Sequence, residues 1–398
     1  MKWTTEQKHF MHEHAADDLT HLLLSASRYP NLDIPFLVNQ LAARRQIREK
    51  LPTWFAEEDL VFPSKIAAEQ CSSEQTAMYK QRLVSPDDRL CDLTGGLGID
   101  SFYFSRQVHT VYYIERFAEY CEAARNNFQT LGADNIVVIN EDSVSHLPHL
   151  PAVSVFYIDP ARRGEGNKRV YALADCEPDL PALLPKLLEL APRVLAKLSP
   201  MADIQQTLAL LPGTEAIHIL SVRNECKEVL MDIRRGGGED TENGVQVHCV
   251  NFTSSGKEET FSFSLEEERQ AVLRFAPSVL SFLYEPNASV MKAGAFKTVA
   301  LRFGVEKLHA SSHLYTSAEL KTDFPGRIFA VDAVYTFNNR LCKDIGKEIP
   351  KANIAVRNFP LSVDELRKKS KIKEGGDVFL FATTLSSGEK VWIRGHKI

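Results

Sequence analysis

The 398-residue sequence predicts an α/β fold whose parallel sheet carries a ligand site. Three observations support this prediction. Short apolar runs alternate with helical patterns between residues 90 and 198, a tight glycine turn follows the first run, and acidic residues follow each of the first four. Because the carboxyl ends of parallel strands meet at one edge of a sheet, we expect these acids to face a common ligand.

The glycine turn lies in the segment LCDLTGGLGID, residues 90–100, between a strand and a helix that opens at Asp100. Glycine allows both positive φ and close approach of the backbone to a ligand. A dinucleotide site would need a third glycine where Ser101 stands, so the turn favours a ligand without phosphates, S-adenosylmethionine (SAM) above all. A turn that binds nothing is the alternative. The candidate cofactor residues are Asp92, Thr94, Gly95, Gly96 and Gly98.

Two further acids follow the next two strands. Residues 108–115 read as a second strand ending in Glu115, at about the spacing expected of an acid that binds ribose hydroxyls. A helix at 118–131, with Gly132 after it, leads to a third strand at 136–139 and to Asp142, which is placed to accept a hydrogen bond from an adenine amine. Each acid alone is also typical of a strand end or a helix N-cap.

The fourth strand, residues 152–158, runs into Asp159-Pro160-Ala161-Arg162-Arg163. Here the chain resembles the class I SAM-dependent methyltransferases, which implies a Rossmann-like sheet and an acceptor site at Asp159 and Pro160. In the amino-group enzymes of that class, an aromatic residue stacks on the base where this chain has Arg162. Arginine can lie flat on a base or hold a phosphate, so Arg162 and Arg163 are candidate substrate residues, with helix capping or surface ion pairs as the alternative.

Three more features complete this region. Ser72 and Gln75 predict a capping box for a helix over the cofactor site, in a segment that resembles one preceding the glycine turn of RNA-cap trimethylguanosine synthases; a plain packing helix is the alternative. Lys197 ends a fifth strand at 194–198, where it could meet a phosphate. Because Ser199 rather than cysteine follows that strand, and Cys226 reads as a half-buried filler, a nitrogen or oxygen target is preferred to a ring carbon.

The sequence divides into four predicted regions, with a glycine-rich boundary at 236–238. They are a helical N-terminal domain (1–70), a class I methyltransferase domain (71–236), a small α+β connector (237–323) with a ferredoxin-like fold as one option, and a terminal α/β module (324–398). The methyltransferase domain should close with strands at 216–220 and 228–234. The connector should contain strands at 245–252 and 259–264 and helices at 266–284 and 293–303. The module should contain strands at 328–335, 352–358, 377–384 and 391–395 and helices at 338–347 and 363–371.

The terminal module is basic although the whole chain has a formal charge of −5. Its densest run of basic residues contains Arg367, Lys368, Lys369, Lys371 and Lys373, and such a run can neutralise phosphates. The alternative is that these lysines form the solvated face of a helix. The segments SHLYTS, KANIAVRNFPLSVDELRKK and GGDVFLFATTL resemble the THUMP-like domain that closes a bacterial group of class I methyltransferases. That resemblance implies an RNA substrate, with Lys368 and Lys369 as candidate contacts.

Composition limits the remaining possibilities. The hydrophobic content of 44% suits real cores, and no apolar run approaches the ~18 residues of a membrane span, so we expect a cytoplasmic protein without a membrane partner. Seven cysteines without a Cys-x-x-Cys pair give no disulfide framework or zinc knuckle, and His309 and His313 lack an acidic companion, so no metal is expected.

Together the patterns predict a SAM-dependent methyltransferase that acts by direct in-line transfer on an exocyclic or ring nitrogen of a base in tRNA or rRNA. A base in a helical stem would have to be flipped into the site. Two alternatives stay open at this stage: a methyltransferase for small molecules, and a non-catalytic RNA-binding protein with a vestigial cofactor pocket.

Overall fold

The computed structural model describes residues 3–162, 173, 176–237 and 244–398. The chain divides into two compact units: unit 1 is Met1–Thr214 with Leu230–Glu239, and unit 2 is Glu215–Val229 with Asp240–Ile398. The four predicted regions therefore do not map one to one onto the units, and their boundaries stay a prediction. No helix in the described parts of the chain is long and apolar enough to cross a bilayer.

Unit 1 begins with a helical region whose apolar side chains are buried together. Leu37 and Leu41 pack with Phe10 in one cluster, whereas Ile47 and Trp54 join the core that lies against the sheet. Burying each such side chain contributes roughly 1.5–3 kcal/mol. The helices are α1 (Thr5–Glu13), α2 (Leu19–Leu24), α3 (Ile34–Ile47), α4 (Pro52–Ala56), α5 (Lys65–Gln70) and α6 (Glu74–Gln81).

The predicted capping box at Ser72 is wrong. Helix α6 begins one residue later, with Ser73 accepting a hydrogen bond from the backbone N–H of Thr76 at 3.2 Å. The Ser72 hydroxyl is buried and donates to the Asp100 carboxylate at 2.7 Å, and its oxygen accepts from the ammonium groups of Lys80 and Lys197 at 3.0 and 3.1 Å. Because an N-cap oxygen must accept a backbone N–H, these lysine donors leave the cap to Ser73.

A parallel sheet forms the centre of unit 1, in the order β7-β4-β1-β2-β3. Its strands are β1 (Arg89–Asp92), β2 (Thr110–Ile114), β3 (Ile136–Ile139), β4 (Val155–Ile158) and β7 (Arg193–Leu198). Two short strands, β5 (Ala161–Arg162) and β6 (Cys176–Glu177), pair antiparallel outside it. The helices of this region are α7 (Ile99–Ser105), α8 (Ala118–Thr130), α9 (Ser143–His146), α10 (Leu180–Leu190) and α11 (Ile204–Leu210).

The strand order positions the site. Successive strands are added to one side of β1 as β2 and β3 and then to its other side as β4 and β7, and open α/β sheets bind ligands outside the carboxyl ends of the strands at such a switch point. All four residues of β4 are buried, as expected when helices cover both faces of a parallel sheet. Leu90, Val111 and Leu195 pack in one core cluster, and Tyr113, Phe102 and Phe128 in another. The predicted α/β class is therefore confirmed.

Unit 2 contains further strands and a second sheet. Residues 216–222 of β8 (Thr214–Val222) pair in parallel with β10 (Gln246–Phe252), which pairs antiparallel with β11 (Glu258–Ser264). The strand β9 (Glu225–Arg234) is divided, with 225–229 in unit 2 and 230–234 in unit 1. The second sheet, in the order β13-β14-β12-β15-β18-β17-β16, contains β12 (Phe282–Pro286), β13 (Glu306–Lys307), β14 (Tyr315–Ser317), β15 (Gly326–Thr336), β16 (Asn353–Arg357), β17 (Val378–Thr384) and β18 (Lys390–Lys397).

The helices of unit 2 test the remaining element predictions. They are α12 (Leu265–Gln270), α13 (Ala288–Ala293), α14 (Thr298–Phe303), α15 (Asn339–Glu348) and α16 (Val363–Ser370). The strands and helices predicted from residue 328 onward are confirmed to within a few residues. The predicted helix at 266–284 is wrong beyond Gln270, because β12 pairs with β15 and buries Leu283 and Tyr284. The predicted helix at 293–303 is broken at Gly294, which has φ +72°.

Candidate active site

A pocket of about 680 Å³ opens at the carboxyl ends of β1, β2, β4 and β7 in unit 1. Its size falls in the range of roughly 300–1,000 Å³ typical of small-molecule sites. The structure brings most predicted site residues together on its lining, namely Asp92, Thr94, Gly95, Gly96, Gly98, Glu115, Asp142, Asp159 and Lys197. Arg163 and the side chain of Arg162 lie outside the described residues, whereas Lys368 and Lys369 are exposed on α16 of unit 2.

The glycine turn is held by hydrogen bonds that its backbone makes to β2. The Gly95 N–H donates to the Ile114 carbonyl at 2.9 Å, and the Tyr113 hydroxyl donates to the Gly96 carbonyl at 2.6 Å. Gly96 and Gly98 adopt φ of +53° and +85°, which favour glycine. A Cβ on Gly95 would lie 2.4 Å from the Tyr113 ring. The turn therefore needs glycine for conformation at two positions and for space at Gly95.

Gly98→Ala should destabilise the protein by about 3 kcal/mol, because it combines a positive φ with a clash. An added Cβ would lie 2.6 Å from the Phe128 ring, which is buried in the core. Gly132→Ala is the matched control, since Gly132 has φ +69° but open space around its Cβ position, and should cost only about 1 kcal/mol. Urea denaturation measures both, and equal losses would show that the Phe128 contact is unimportant.

Asp92 lies fully buried at the end of β1, with both carboxylate oxygens in hydrogen bonds. The Thr94 N–H donates to Oδ1 at 3.0 Å, and the Ser101 hydroxyl donates to Oδ2 at 2.6 Å. Burial raises the pKa of Asp92 to about 7, although these hydrogen bonds oppose the shift. Ser101 occupies the place of the third glycine in a dinucleotide motif, and here it orients the acid.

Glu115 and Asp142 line the same pocket after β2 and β3. Glu115 accepts hydrogen bonds from the Gly96 N–H at 3.0 Å and from the Phe117 N–H at 2.9 Å, which fixes its carboxylate beside the glycine turn. Asp142 caps α9 and accepts from the backbone N–H and the hydroxyl of Ser145, and these hydrogen bonds lower its pKa. Asp142 therefore does both things that its position in the sequence suggested: it caps a helix, and it lines the pocket.

Asp159 directly follows β4 and is distant in sequence from the glycine turn. A hydrogen bond to Thr94 connects it to that turn. Its backbone N–H donates to the Thr94 hydroxyl at 2.7 Å, and its Oδ2 lies 2.5 Å from the Lys197 ammonium. The Asp159 side chain is 39% exposed, so it faces the pocket while still bound to a buried cation. Pro160 follows it and is half-buried.

A buried group that sequence reasoning missed lies behind Asp159, and we call it the lysine–aspartate cluster. At its centre Asp100 binds the Lys80 ammonium at 2.9 Å and accepts hydrogen bonds from Ser72 and Tyr157, each at 2.7 Å. Burial alone would raise the pKa of Asp100, but Lys80 and Lys197 outweigh it and hold the pKa below its usual range. The members are Ser72, Lys80, Asp100, Tyr157 and Lys197.

The donor set suits an organic cofactor. Buried or oriented carboxylates at three strand ends offer acceptors for an ammonium, a diol and an amine, and the side-chain-free turn lets a ligand approach the backbone. Within the described parts of the chain, no group of three or more His, Cys, Asp or Glu side chains could hold a metal ion. The residues present therefore fit the bound form of SAM.

Comparison with known proteins agrees with this geometry. A methyltransferase-type protein of Porphyromonas gingivalis W83 matches with 35% sequence identity and a TM-score of 0.89 over 100% of both chains. Family models match residues 282–325 as a ferredoxin-like domain and residues 326–397 as a THUMP domain-like region.

Two other matches are partial. Protein-L-isoaspartate O-methyltransferase 2 of Pelobacter propionicus is 36% identical over 69 residues, which are 17% of this chain and 31% of that protein. A rRNA methylase from Streptococcus thermophilus is 12% identical over 40% of this chain and 94% of its own, with a TM-score of 0.31, too distant to bear on the substrate. On the full-length match and the pocket, the chain belongs to the class I SAM-dependent methyltransferases that end in a THUMP-like domain.

Proposed function

We propose that this protein transfers a methyl group from SAM to a nitrogen of a base in tRNA or rRNA, with an exocyclic amine of a purine as the preferred target. The observation that carries the proposal is the convergence of Asp92, Glu115, Asp142 and Asp159 on one pocket around the glycine turn. Membership of the methyltransferase class supports the reaction type, and the THUMP-like domain supports RNA as the substrate class.

The cofactor would be held by residues on β1, β2 and β3. Asp92 would accept from the cofactor's ammonium, Glu115 from its ribose hydroxyls and Asp142 from its adenine amine, while Gly95, Gly96 and Gly98 leave room along the backbone, with Thr94 between them. Phe117 and Val144, which are exposed by 48% and 40%, line the pocket beside these acids and offer apolar walls for a ring. When bound, SAM supplies an electrophilic methyl group on a sulfonium.

The acceptor would be aligned by Asp159 and Pro160. A carboxylate that accepts an N–H hydrogen bond turns the nitrogen lone pair toward the pocket, and such alignment alone can supply much of a rate enhancement. No protein nucleophile is required for a nitrogen target. A paired base would have to leave its stack to reach this depth.

RNA would be held mainly through phosphates, so charge reversal on α16 should weaken binding without regard to sequence. We expect Lys368→Glu/Lys369→Glu to reduce the affinity of the full chain for tRNA about tenfold at 0.1 M salt and to flatten its salt dependence. Both side chains are exposed in the last turn of α16. Filter binding across a salt series measures the effect.

The matched control carries the same change of charge outside the THUMP-like domain. Lys186→Glu/Lys257→Glu alters two other exposed lysines, one on α10 and one between β10 and β11. Equal losses for the two double variants would mean that net charge alone governs RNA binding, and the proposed role of Lys368 and Lys369 would be abandoned.

The function itself is tested by nucleoside mass spectrometry on tRNA and rRNA from cells that lack this protein. We expect one methylated nucleoside to disappear, and purified protein with SAM to restore it on the extracted RNA. An unchanged nucleoside profile together with SAM binding would favour a small-molecule acceptor, and RNA binding without any SAM binding would identify a vestigial pocket. Cytoplasmic location stays a prediction, to be checked by fractionation.

A further inference from the structure

The Lys197 ammonium, a candidate contact for a substrate phosphate, is bound by groups of the protein itself. The side chain is only 11% exposed, and Nζ lies 2.5 Å from Asp159 Oδ2. On its other side Nζ lies 3.1 Å from the Ser72 hydroxyl and 3.8 Å from Asp100 Oδ2. Lys197 therefore connects Asp159 to the other members of the lysine–aspartate cluster.

Two other members of the cluster, Ser72 and Asp100, hold the Lys197 ammonium in place. The Ser72 oxygen accepts from both Lys80 and Lys197, at 3.0 and 3.1 Å, while its own hydrogen is donated to Asp100. Lys80 is completely buried and balances the charge of Asp100. Because Asp100 is already paired with Lys80, the ammonium of Lys197 is left to balance Asp159.

This arrangement has a consequence for the acceptor. Asp159 Oδ2 is bound by Lys197, and no hydrogen-bond partner of Oδ1 is found among the residues that the structure describes. An ionised carboxylate has only acceptors to offer, so the group that meets it must donate a hydrogen. Acidic side chains also outnumber Arg116 and Lys197 on the described lining of the pocket, which disfavours an anionic acceptor such as a carboxylate.

We propose that Lys197 is a positioning residue that binds one oxygen of Asp159 and directs the other oxygen to the acceptor, so that the enzyme selects uncharged N–H donors and rejects carboxylates. This inference rests on the proposed function. Lys197 acts through Asp159, and the lysine–aspartate cluster holds Lys197 in place from beneath the pocket.

The test is a double-mutant cycle on the full chain. Lys197→Met removes the ammonium but keeps side-chain length, and Asp159→Asn removes the charge but keeps an acceptor oxygen. With SAM and total RNA from cells that lack the protein, Lys197→Met should lower kcat tenfold or more in the wild-type background but threefold or less in the Asp159→Asn background. The Kd for SAM, measured by calorimetry, should change by less than threefold.

A substrate-independent measurement keeps the inference testable should wild-type protein fail to methylate RNA, which would count against the proposed function only. The same four proteins are unfolded in urea, and the ion pair should appear as a tenfold or larger coupling in the unfolding equilibrium constant. Equal factors for Lys197→Met in both backgrounds, in kcat or in unfolding, would overturn the positioning role. An increase in SAM Kd equal to the loss of kcat would instead assign Lys197 to the cofactor.

Discussion

Asp92→Asn should weaken SAM binding by about 30- to 100-fold while leaving the fold intact. The substitution replaces a charge-assisted hydrogen bond to the cofactor's ammonium by a neutral one, a loss of roughly 2–3 kcal/mol. Asparagine can still accept from the Thr94 N–H and donate to the Ser101 oxygen, so the local hydrogen bonds of Asp92 survive. Isothermal titration calorimetry measures the affinity, and an unchanged Kd would remove Asp92 from the cofactor site.

The raised pKa of Asp92 adds a pH dependence with a definite sign. Because that pKa is about 7, the carboxyl is mostly neutral at pH 6 and mostly ionised at pH 8. An ammonium ligand prefers the ionised form, so wild-type affinity for SAM should rise about tenfold between pH 6 and pH 8, and the Asp92→Asn variant should lack this rise.

In the protein without cofactor, the raised pKa of Asp92 makes the folded state less stable as pH rises. A folded-state pKa above the ordinary value of 3.8 contributes stability below about pH 4 that is lost as pH rises through about 7. The ligand-free Asp92→Asn protein should therefore be the more stable of the two at pH 8, by on the order of 2 kcal/mol. Chemical denaturation of both proteins at pH 5 and pH 8 checks whether this advantage of the variant appears only at the higher pH.

Asp159→Ala should reduce kcat about 100-fold with little change in SAM affinity. The carboxylate lies at the proposed acceptor end of the pocket, where its loss would remove alignment of the acceptor and one of the groups that bind the Lys197 ammonium. Asp159→Asn, which keeps an acceptor oxygen, should lose only about tenfold. Single-turnover rates on RNA from cells that lack the protein distinguish the two variants. Identical rates for the alanine and asparagine variants would show that no hydrogen bond to residue 159 contributes.

Much of the site was accessible from the sequence because strand ends are local signals. An apolar run followed by an acid predicts both a strand and the place where its side chain emerges, so Asp92, Glu115, Asp142 and Asp159 were found without tertiary information. The parallel order of the strands then brought these acids onto one pocket. The cofactor and acceptor roles assigned to them stay predictions until binding and kinetics are measured.

The lysine–aspartate cluster could not be found in the same way. Its members come from the loop before α6, from α6 itself, from α7 and from two strands, and no periodicity links Lys80 to Asp100. A lysine on a helix usually reads as a solvated residue, whereas Lys80 has no exposed surface. The error at Ser72 has the same origin, since its partner Asp100 is distant in sequence. The helix prediction failed at 282–284 because pairing with β15 outweighed a weak helical pattern, and residues 271–281 contain no helix either.

The contact between Gly95 and Tyr113 limits which residues can replace them during evolution. The ring fills the space in which any side chain at position 95 would have to lie, and its hydroxyl is bonded to the turn. Neither position can then change size alone, so across distant homologues we expect the two to covary, with a bulkier residue at 95 found only beside a smaller one at 113.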